Sequence, residues 1–437
     1  MKTNVKNTPK NFTHEGAVAS NINAKQELKR TVMACMLWEN SFYESGVSVA
    51  DRIKDLVAKV PGEVAMEFAI EAREKMKLRH TPLFIARCMA QNAHQKAFVC
   101  DTLTRIIQRA DELSEFLAIY WKEGKVPIAK QVKKGLAQAF TKFDEYALAK
   151  YNRDGAVKLK DVLFMVHAKP LTDAQEALWK RLIADELKTP DTWEVELSAS
   201  TDKKASWTRL LSEKKLGAMA LLRNLRNMET AKVDEKLIRG ALTNIKAERV
   251  LPFRFISAAR HAPKYESELE TGMFACLDKH EKLTGKTLIL LDVSGSMSST
   301  VSGKSEISRL DAACGVAMLL REICPTVEIH TFSNKTVSVP PRRGFALADA
   351  VSHSQAHSST NLGDAMREMN SIEADRLIVI TDEQSHQRVS APKHKKAYMV
   401  NVAAYKNGVG YGNGWTAHID GWSEAIVDYI IELEKDS

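Results

Sequence analysis

Missing from these 437 residues is any apolar run approaching the ~18–20 positions of a membrane span. The opening stretch, MKTNVKNTPKNFTHEGAVASN, is basic and polar and lacks the apolar core of a secretory leader. The six cysteines (Cys35, Cys88, Cys100, Cys276, Cys314 and Cys324) are scattered and form no CxxC pair. That argues against a zinc or disulfide framework and for reduced core thiols, so a cytoplasmic protein without membrane contact is expected. No GxSxG, HExxH or Walker sequence occurs, and the twelve histidines form no ligand-spaced pair beside a suitable carboxylate. An enzyme is not expected. With only 20 Gly and 12 Pro, nothing beyond the polar residues 1–20 reads as low-complexity chain.

A single core stops growing near ~250–300 residues, so this length calls for more than one domain. The charge is divided unevenly. From Glu281 onward there are 16 Lys and Arg against 19 Asp and Glu, a net of −3. The residues before it carry 47 basic against 36 acidic side chains, a net of +11. A basic first part suggests a polyanionic partner, nucleic acid first among them. The plainer reading is a lysine-rich helical surface that keeps the chain soluble.

The hydrophobic period changes at about the same place. From about Ala24 to Glu281 apolar residues recur at helical spacing, as in PGEVAMEFAIEAREKMK, KQVKKGLAQAFTKFDEYALAKY and LTDAQEALWKRLIADEL. Pro61, Pro82, Pro127 and Pro190 fall where first helical turns are expected. Some 12–15 helices stacked as hairpins are expected in an irregular solenoid, since no fixed repeat length is visible. After about Leu283, KTLILLDVS, TVEIHTFS, DRLIVITDE and AYMVNVAAY are short continuous apolar runs, as in strands buried on both faces. Helical patterns alternate with them, which predicts an α/β, doubly wound, mostly parallel sheet. The expected segments are 1–20 (polar), 21–281 (helical) and 282–437 (α/β).

In LILLDVSGSMSS a strand runs straight into Asp292, Ser294, Gly295 and Ser296. Ligands of such sheets gather at the carboxyl ends of strands. Thr360 in SSTNLGDAM and Asp382 in LIVITDE lie at two further exits. Two carboxylates and three hydroxyls from three loops suit Mg²⁺ or Mn²⁺, which prefer octahedral oxygen coordination. Taken singly, each has a bland alternative: a turn, a strand-end aspartate or a helix cap.

Together and in this order, the three pieces resemble the metal-ion-dependent adhesion site of von Willebrand factor A domains, over roughly residues 283–437. The resemblance implies that Asp292, Ser294 and Ser296 form the first ligand set, Thr360 the second and Asp382 the third, some through water. It also implies a cation position left open for a partner's acidic oxygen.

In the helical part, Leu136, Phe140, Phe143 and Ala147 form a candidate core stripe. Lys130, Lys134 and Lys142 lie along one line with Lys133 beside them. Lys150, Arg153, His167 and Lys169 follow, then Arg223 and Arg226 in LLRNLRNM. Each has an ordinary alternative: a solvated lysine face, a buried hydrogen-bonded histidine, or an arginine paired across a hairpin.

Read jointly, LAKYNRDGAVKLKDVLFMVHAKP, MALLRNLRNM and RVLPFRFI resemble the TROVE domain of the Ro autoantigen family, with an A domain directly after it. That resemblance implies a HEAT-like helical toroid closed on the A domain, whose intrachain ring needs no partner subunit, so a monomer is expected. It also implies that single-stranded ends of misfolded non-coding RNA enter the hole and that Y-RNA-like molecules bind the basic outer face. Lys150 and His167 match RNA-binding positions of the family, whereas a basic family residue is replaced by Asp154, with Arg153 beside it. The function expected is RNA quality control or processing, with RNA handed on to an exoribonuclease. The competing reading is a protein-binding adaptor that uses the cation to capture an acidic residue. The +11 against −3 division favours RNA, because an adaptor scaffold has no need of concentrated basic charge.

Overall fold

In the computed structural model the described residues are 11–435, less 20, 36, 41–43, 153, 247–249, 251, 276, 278, 279, 404, 406, 411, 413, 423 and 424. They form two compact units. One comprises Ala50–Leu216 with Thr230–Leu237, and the other Met1–Val49, Gly217–Glu229 and Ile238–Ser437.

Sixteen described α-helices precede the first strand. They are α1 (Ala24–Ala34), α2 (Gly46–Lys59), α3 (Gly62–Glu74), α4 (His80–Gln91), α5 (Val99–Ile106), α6 (Asp111–Tyr120), α7 (Lys130–Phe140) and α8 (Glu145–Tyr151). After them come α9 (Leu159–Val166), α10 (Asp173–Ile183), α11 (Trp193–Ala199), α12 (Lys203–Ser212), α13 (Ala218–Thr230), α14 (Glu235–Thr243), α15 (Pro252–His261) and α16 (Glu266–Ala275). The count is slightly above the expected 12–15 because an apparent long helix, KQVKKGLAQAFTKFDEYALAKY, is broken into α7 and α8. Asp144 breaks it by capping α8, its carboxylate accepting from the Ala147 amide at 2.8 Å. Pro61 does stand at the N-cap of α3 and Pro82 lies in the first turn of α4, but Pro127 and Pro190 sit in non-helical chain ahead of α7 and α11.

In the helical unit, helices pack on their neighbours and next neighbours, α3 on α4 and α5, α5 on α7, and α7 on α9. Gly135 permits the α5–α7 approach, since a Cβ there would stand 2.9 Å from the Cys100 carbonyl oxygen. The core is apolar, with Phe116, Leu136 and Phe140 fully buried and Phe140 edge-on to Trp179 at 5.3 Å. One charged pair is built into it. Glu112 accepts from Arg73 at 2.7 Å and from the amides of Gln108 and Arg109 at 2.8 and 3.1 Å, tying α3 to the start of α6.

The other unit holds a six-stranded sheet of β1 (Lys286–Asp292), β2 (Thr326–Phe332), β3 (Thr336–Val339), β4 (Arg376–Thr381), β5 (Lys396–Asn401) and β6 (Ala417–Asp420). Its order is β3-β2-β1-β4-β5-β6, with every pair parallel except β2–β3. β1, β2, β4 and β5 are the four strands expected from their apolar runs. β3 and β6 are short edge strands of four residues each, without such runs. Four described helices follow β1 in the chain, interspersed with the later strands: α17 (Arg309–Ile323), α18 (Gly344–Ser352), α19 (Leu362–Met369) and α20 (Ala425–Lys435). Leu288 and Leu290 of β1 pack with Leu362, Met366 and Met369 of α19, while α17 lies against β1, β4 and α20. Strand order reverses between β1 and β4, which opens a crevice at their carboxyl ends.

Candidate functional site

The crevice is where the three expected loops lie. Leu291 is in register with Ile380, so Asp292 and the Thr381–Asp382 step leave the sheet side by side. Both aspartates are fully buried, as is Ser294, while Thr360 is nearly so and Ser296 is half-buried. Asp292 accepts from the Ser294 amide at 2.8 Å through Oδ1 and from the Thr381 hydroxyl at 2.6 Å through Oδ2. The Ser294 and Ser296 hydroxyls are 3.3 Å apart. Gly295 N–H donates to the Ser358 carbonyl at 3.0 Å, and the Ser385 hydroxyl to the Thr360 carbonyl at 3.2 Å. These bonds join the segment around Thr360 to both aspartate loops.

Burial, and then the charge of Asp382, raise the Asp292 carboxyl to about 7. A carboxylate held against a second one in a buried, oxygen-lined crevice makes a donor set that a hard dication could satisfy. The residues present therefore fit Mg²⁺ or Mn²⁺. A protein cation is also at hand: the buried guanidinium of Arg309, at the start of α17, lies 3.6 Å from Asp382 Oδ2 and donates to the Ser296 carbonyl at 3.2 Å. Arg309 and Thr381 are additions to the expected site residues. The SRLD capping box marks the start of α17, but nothing in it signals where the Arg309 side chain reaches.

A second buried cluster adjoins the sheet's other edge. Glu383, His418 and Asp420 group closely enough to share a metal ion, but the Arg30 guanidinium of α1 lies 3.0 Å from Glu383 and 4.0 Å from Asp420. His418 bonds to Glu383 through Nε2 and lies 3.3 Å from Asp420 through Nδ1. Against the opposing effect of burial, the carboxylates raise His418 to about 9, and Arg30 with His418 holds Glu383 down near 2. Two cations answer two anions, so the cluster reads as an ion-pair network that anchors α1. Its four members are spread from residue 30 to residue 420, a spacing without any sequence signature.

The basic residues divide between the units. In the helical unit, Lys130 and Lys134 are exposed and Lys133 is half-buried, all on α7, whose opposite face buries Val132, Leu136 and Phe140. Lys142 does not extend their line. Past the end of α7, its ammonium donates to the carbonyls of Thr104 and Ile107 at the end of α5. Phe143 is buried beyond α7 and Ala147 is half-buried on α8, so the expected core stripe spans two helices. Lys150 is half-buried, its Nζ 5.8 and 5.7 Å from the Tyr146 and Tyr151 ring centres. His167 is exposed rather than core, in the left-handed conformation that ends α9, and Lys169 is exposed beyond it. Asp154 forms an ion pair with Lys158 at 2.6 Å, and Arg153 lies outside the described residues. In the α/β unit, Arg223 and Arg226 are exposed on α13.

Residues 172–289 match the TROVE domain family and residues 286–402 the Ro60 vWA domain family. The two matches overlap at residues 286–289 and together take in more than half of the chain. The chain belongs to the Ro autoantigen family. Its structure is similar to the crystal structure of the Deinococcus radiodurans RO (RSR) protein, with TM-score 0.61 and 18% identity over 95% of this chain and 100% of that one. At that identity the likeness speaks for the fold. Two sequence relatives are telomerase protein component 1 of Mus musculus, 34% identical, and of Rattus norvegicus, 33% identical, each over 91 residues. The match takes up 20% of this chain and 4% of either relative's length. The Ro-family architecture of a helical region followed by a mixed α/β domain is the one expected. No described helix is long and apolar enough to cross a membrane.

Proposed function

We propose that this Ro-family chain is a non-catalytic RNA-binding protein of a ribonucleoprotein, a ring that grips single-stranded ends of misfolded or Y-RNA-like non-coding RNA. The observation that carries this reading is the two-sided character of α7: its buried face packs the helical core, while Lys130 and Lys134 are exposed to solvent and Lys133 is half-buried beside them. Lysines placed this way neutralise phosphates without reading bases, which suits sequence-tolerant binding. Membership of the Ro family supports the reading, and the exposure of His167 and Lys169 suits contact with a polyanion. Transfer of the RNA to an exoribonuclease in the cytoplasm is the expected next step.

The test is binding of the whole chain to RNA with a free single-stranded 3′ end, against a blunt duplex of equal length. The free end should win, and log K should fall by about 0.7 per phosphate contacted for each decade of salt. Equal affinity for both would reject the threading of free ends.

For the A domain, the proposal is a Mg²⁺ or Mn²⁺ held by Asp292, Ser294, Ser296, Thr360 and Asp382, some through water. What carries it is the pair of fully buried carboxylates at the adjacent exits of β1 and β4, where the charge of Asp382 is felt by Asp292. The ion would supply the positive charge that an acidic oxygen of a partner protein could ligate. The side chains would hold it, and their burial would shut out bulk water. With Mg²⁺ at about 100 times its dissociation constant, stability should rise by about 2.7 kcal/mol. Asp292→Ala should abolish that gain in a thermal melt, and its persistence would remove these ligands.

A further inference from the structure

Between α13 and α15, wholly inside the α/β unit, lies a cavity of about 300 Å³. Its walls follow from helical spacing. Arg223 and Arg226 stand three apart on one face of α13, and Arg254, Ser257 and His261 recur at intervals of three and four on one face of α15. Leu222 and Ala258 give it an apolar side. α15 is held in place from behind, since Arg260 pairs with Asp311 of α17.

Three guanidiniums thus border one small cavity, an arrangement in which each cation strengthens the others' attraction for an entering anion. The crowding is felt electrostatically. Packing around it, and then the charge of Arg223, pull Arg254 below the usual guanidinium range, although the residue as a whole is exposed. Among the described residues, one carboxylate touches the lining and another lies one turn beyond Arg226 on α13. Glu229 of α13 faces Lys264 at 3.4 Å, and the exposed Glu306 contacts His261 Nε2 at 3.1 Å.

We propose that this cavity seats a phosphate monoester, the terminal phosphate of an RNA strand, with its sugar and base along the Leu222–Ala258 wall. A monoester carries about −1.5 to −2 charge and three free oxygens, and guanidinium forks bind such oxygens two at a time. A bridging diester offers a single charge and two free oxygens, one acceptor fewer for the guanidinium forks that line the cavity. The volume suits one nucleotide, at the lower end of ligand sites of about 300–1,000 Å³. The inference rests on the RNA-binding reading above and adds to it a preference for phosphorylated ends.

The experiment uses the full chain and short oligouridylates carrying a 5′-phosphate, a 3′-phosphate, or hydroxyls at both ends. One phosphorylated end should bind about tenfold tighter than the hydroxyl form, the value of one charged hydrogen-bond set. In Arg254→Gln, and in the surface variant Arg223→Gln, the ratio should collapse towards one. Oligonucleotides bound equally whatever their ends would overturn the phosphate pocket and leave the RNA reading standing. Calorimetry with uridine 5′- and 3′-monophosphates against uridine supplies the converse arm. Monophosphate binding that is lost in Arg254→Gln, with no oligonucleotide bound, would keep a phosphate-monoester pocket but overturn the RNA reading and, with it, an RNA end as the occupant. A phosphate preference that survives in both folded variants would overturn the assignment to these arginines.

Discussion

In the α/β unit the charges that matter most are buried and answered by one another. In the helical unit the lysines along α7 and after α9 lie mostly at the surface. The side chains of Arg30, Glu383, His418 and Asp420 have almost no exposed surface to offer a ligand, and what offsets their desolvation is each other. Lys130, Lys134 and Lys169 keep their hydration and contribute little to folding, so they are available to a partner's phosphates. Charge count alone would rank these groups together. Burial separates structural charge from charge held ready for a ligand.

The largest effect should come from breaking the buried network. Arg30→Ala leaves two carboxylates facing a single imidazole in a dry site, at a cost of about 3–5 kcal/mol. Urea unfolding followed by circular dichroism measures it. A loss below about 1 kcal/mol would mean that water reaches the cluster and that α1 is anchored by its apolar face instead.

Charge reversal on the other side should leave folding nearly unchanged and act on the partner. Lys133→Glu, Lys134→Glu and Lys150→Glu together should weaken RNA binding by roughly 10- to 100-fold and flatten its salt dependence. The thermal midpoint should move little, because Lys134 is exposed and Lys133 and Lys150 are only half-buried, and charges at such positions contribute about 0–1 kcal/mol each. Unchanged affinity in filter binding at low salt would remove this face from the RNA site.

These contrasts are only partly legible in the sequence. The apolar runs ending in Asp292 and Asp382 announce central strands, and the change of period near residue 283 announces the α/β domain. Hydrophobic periodicity reports which face is buried, and there it serves well. It is silent on long-range polar pairing, so Arg30 with Glu383, and Arg309 with Asp382, emerge only from the folded chain. Periodicity also runs through a capped break. α7 and α8 read as one helix because the turn at 141–144 keeps Phe143 pointing inward. Periodicity is equally silent on which helices pack with the sheet domain, as α1 and α15 do. Short edge strands such as β3 and β6 carry too few apolar residues to register.

Acidity should distinguish the two kinds of charge next. The folded state holds His418 at about 9, above its ordinary 6.5. Protonation therefore favours the folded state. The contribution is complete below about pH 6.5 and is lost as pH rises through about 9. The expected loss of unfolding free energy across that window is roughly 1–3 kcal/mol, since a tenfold change in proton affinity is worth about 1.4 kcal/mol. His418→Gln should flatten the profile between pH 6.5 and 9. A slope that persists in the variant would assign the titration to another group.

The smallest effect divides the lysines of the helical unit among themselves. Lys142 looks in sequence like one more member of the α7 row, yet its ammonium is spent on the Thr104 and Ile107 carbonyls. Those carbonyls close the C-terminal end of α5, where a positive charge is favoured by the helix dipole. Burial pulls its ammonium below the ordinary lysine range, the mark of a side-chain tip drawn against the protein. Lys142→Met should lower stability by about 0.5–1 kcal/mol, the value of a helix-end cation, while RNA affinity stays within about twofold, a difference of roughly 0.4 kcal/mol. Paired melts and binding curves on one preparation measure both. If RNA binding falls and stability holds, Lys142 leaves the α5 terminus to meet phosphate, and the row of four lysines is a single surface after all.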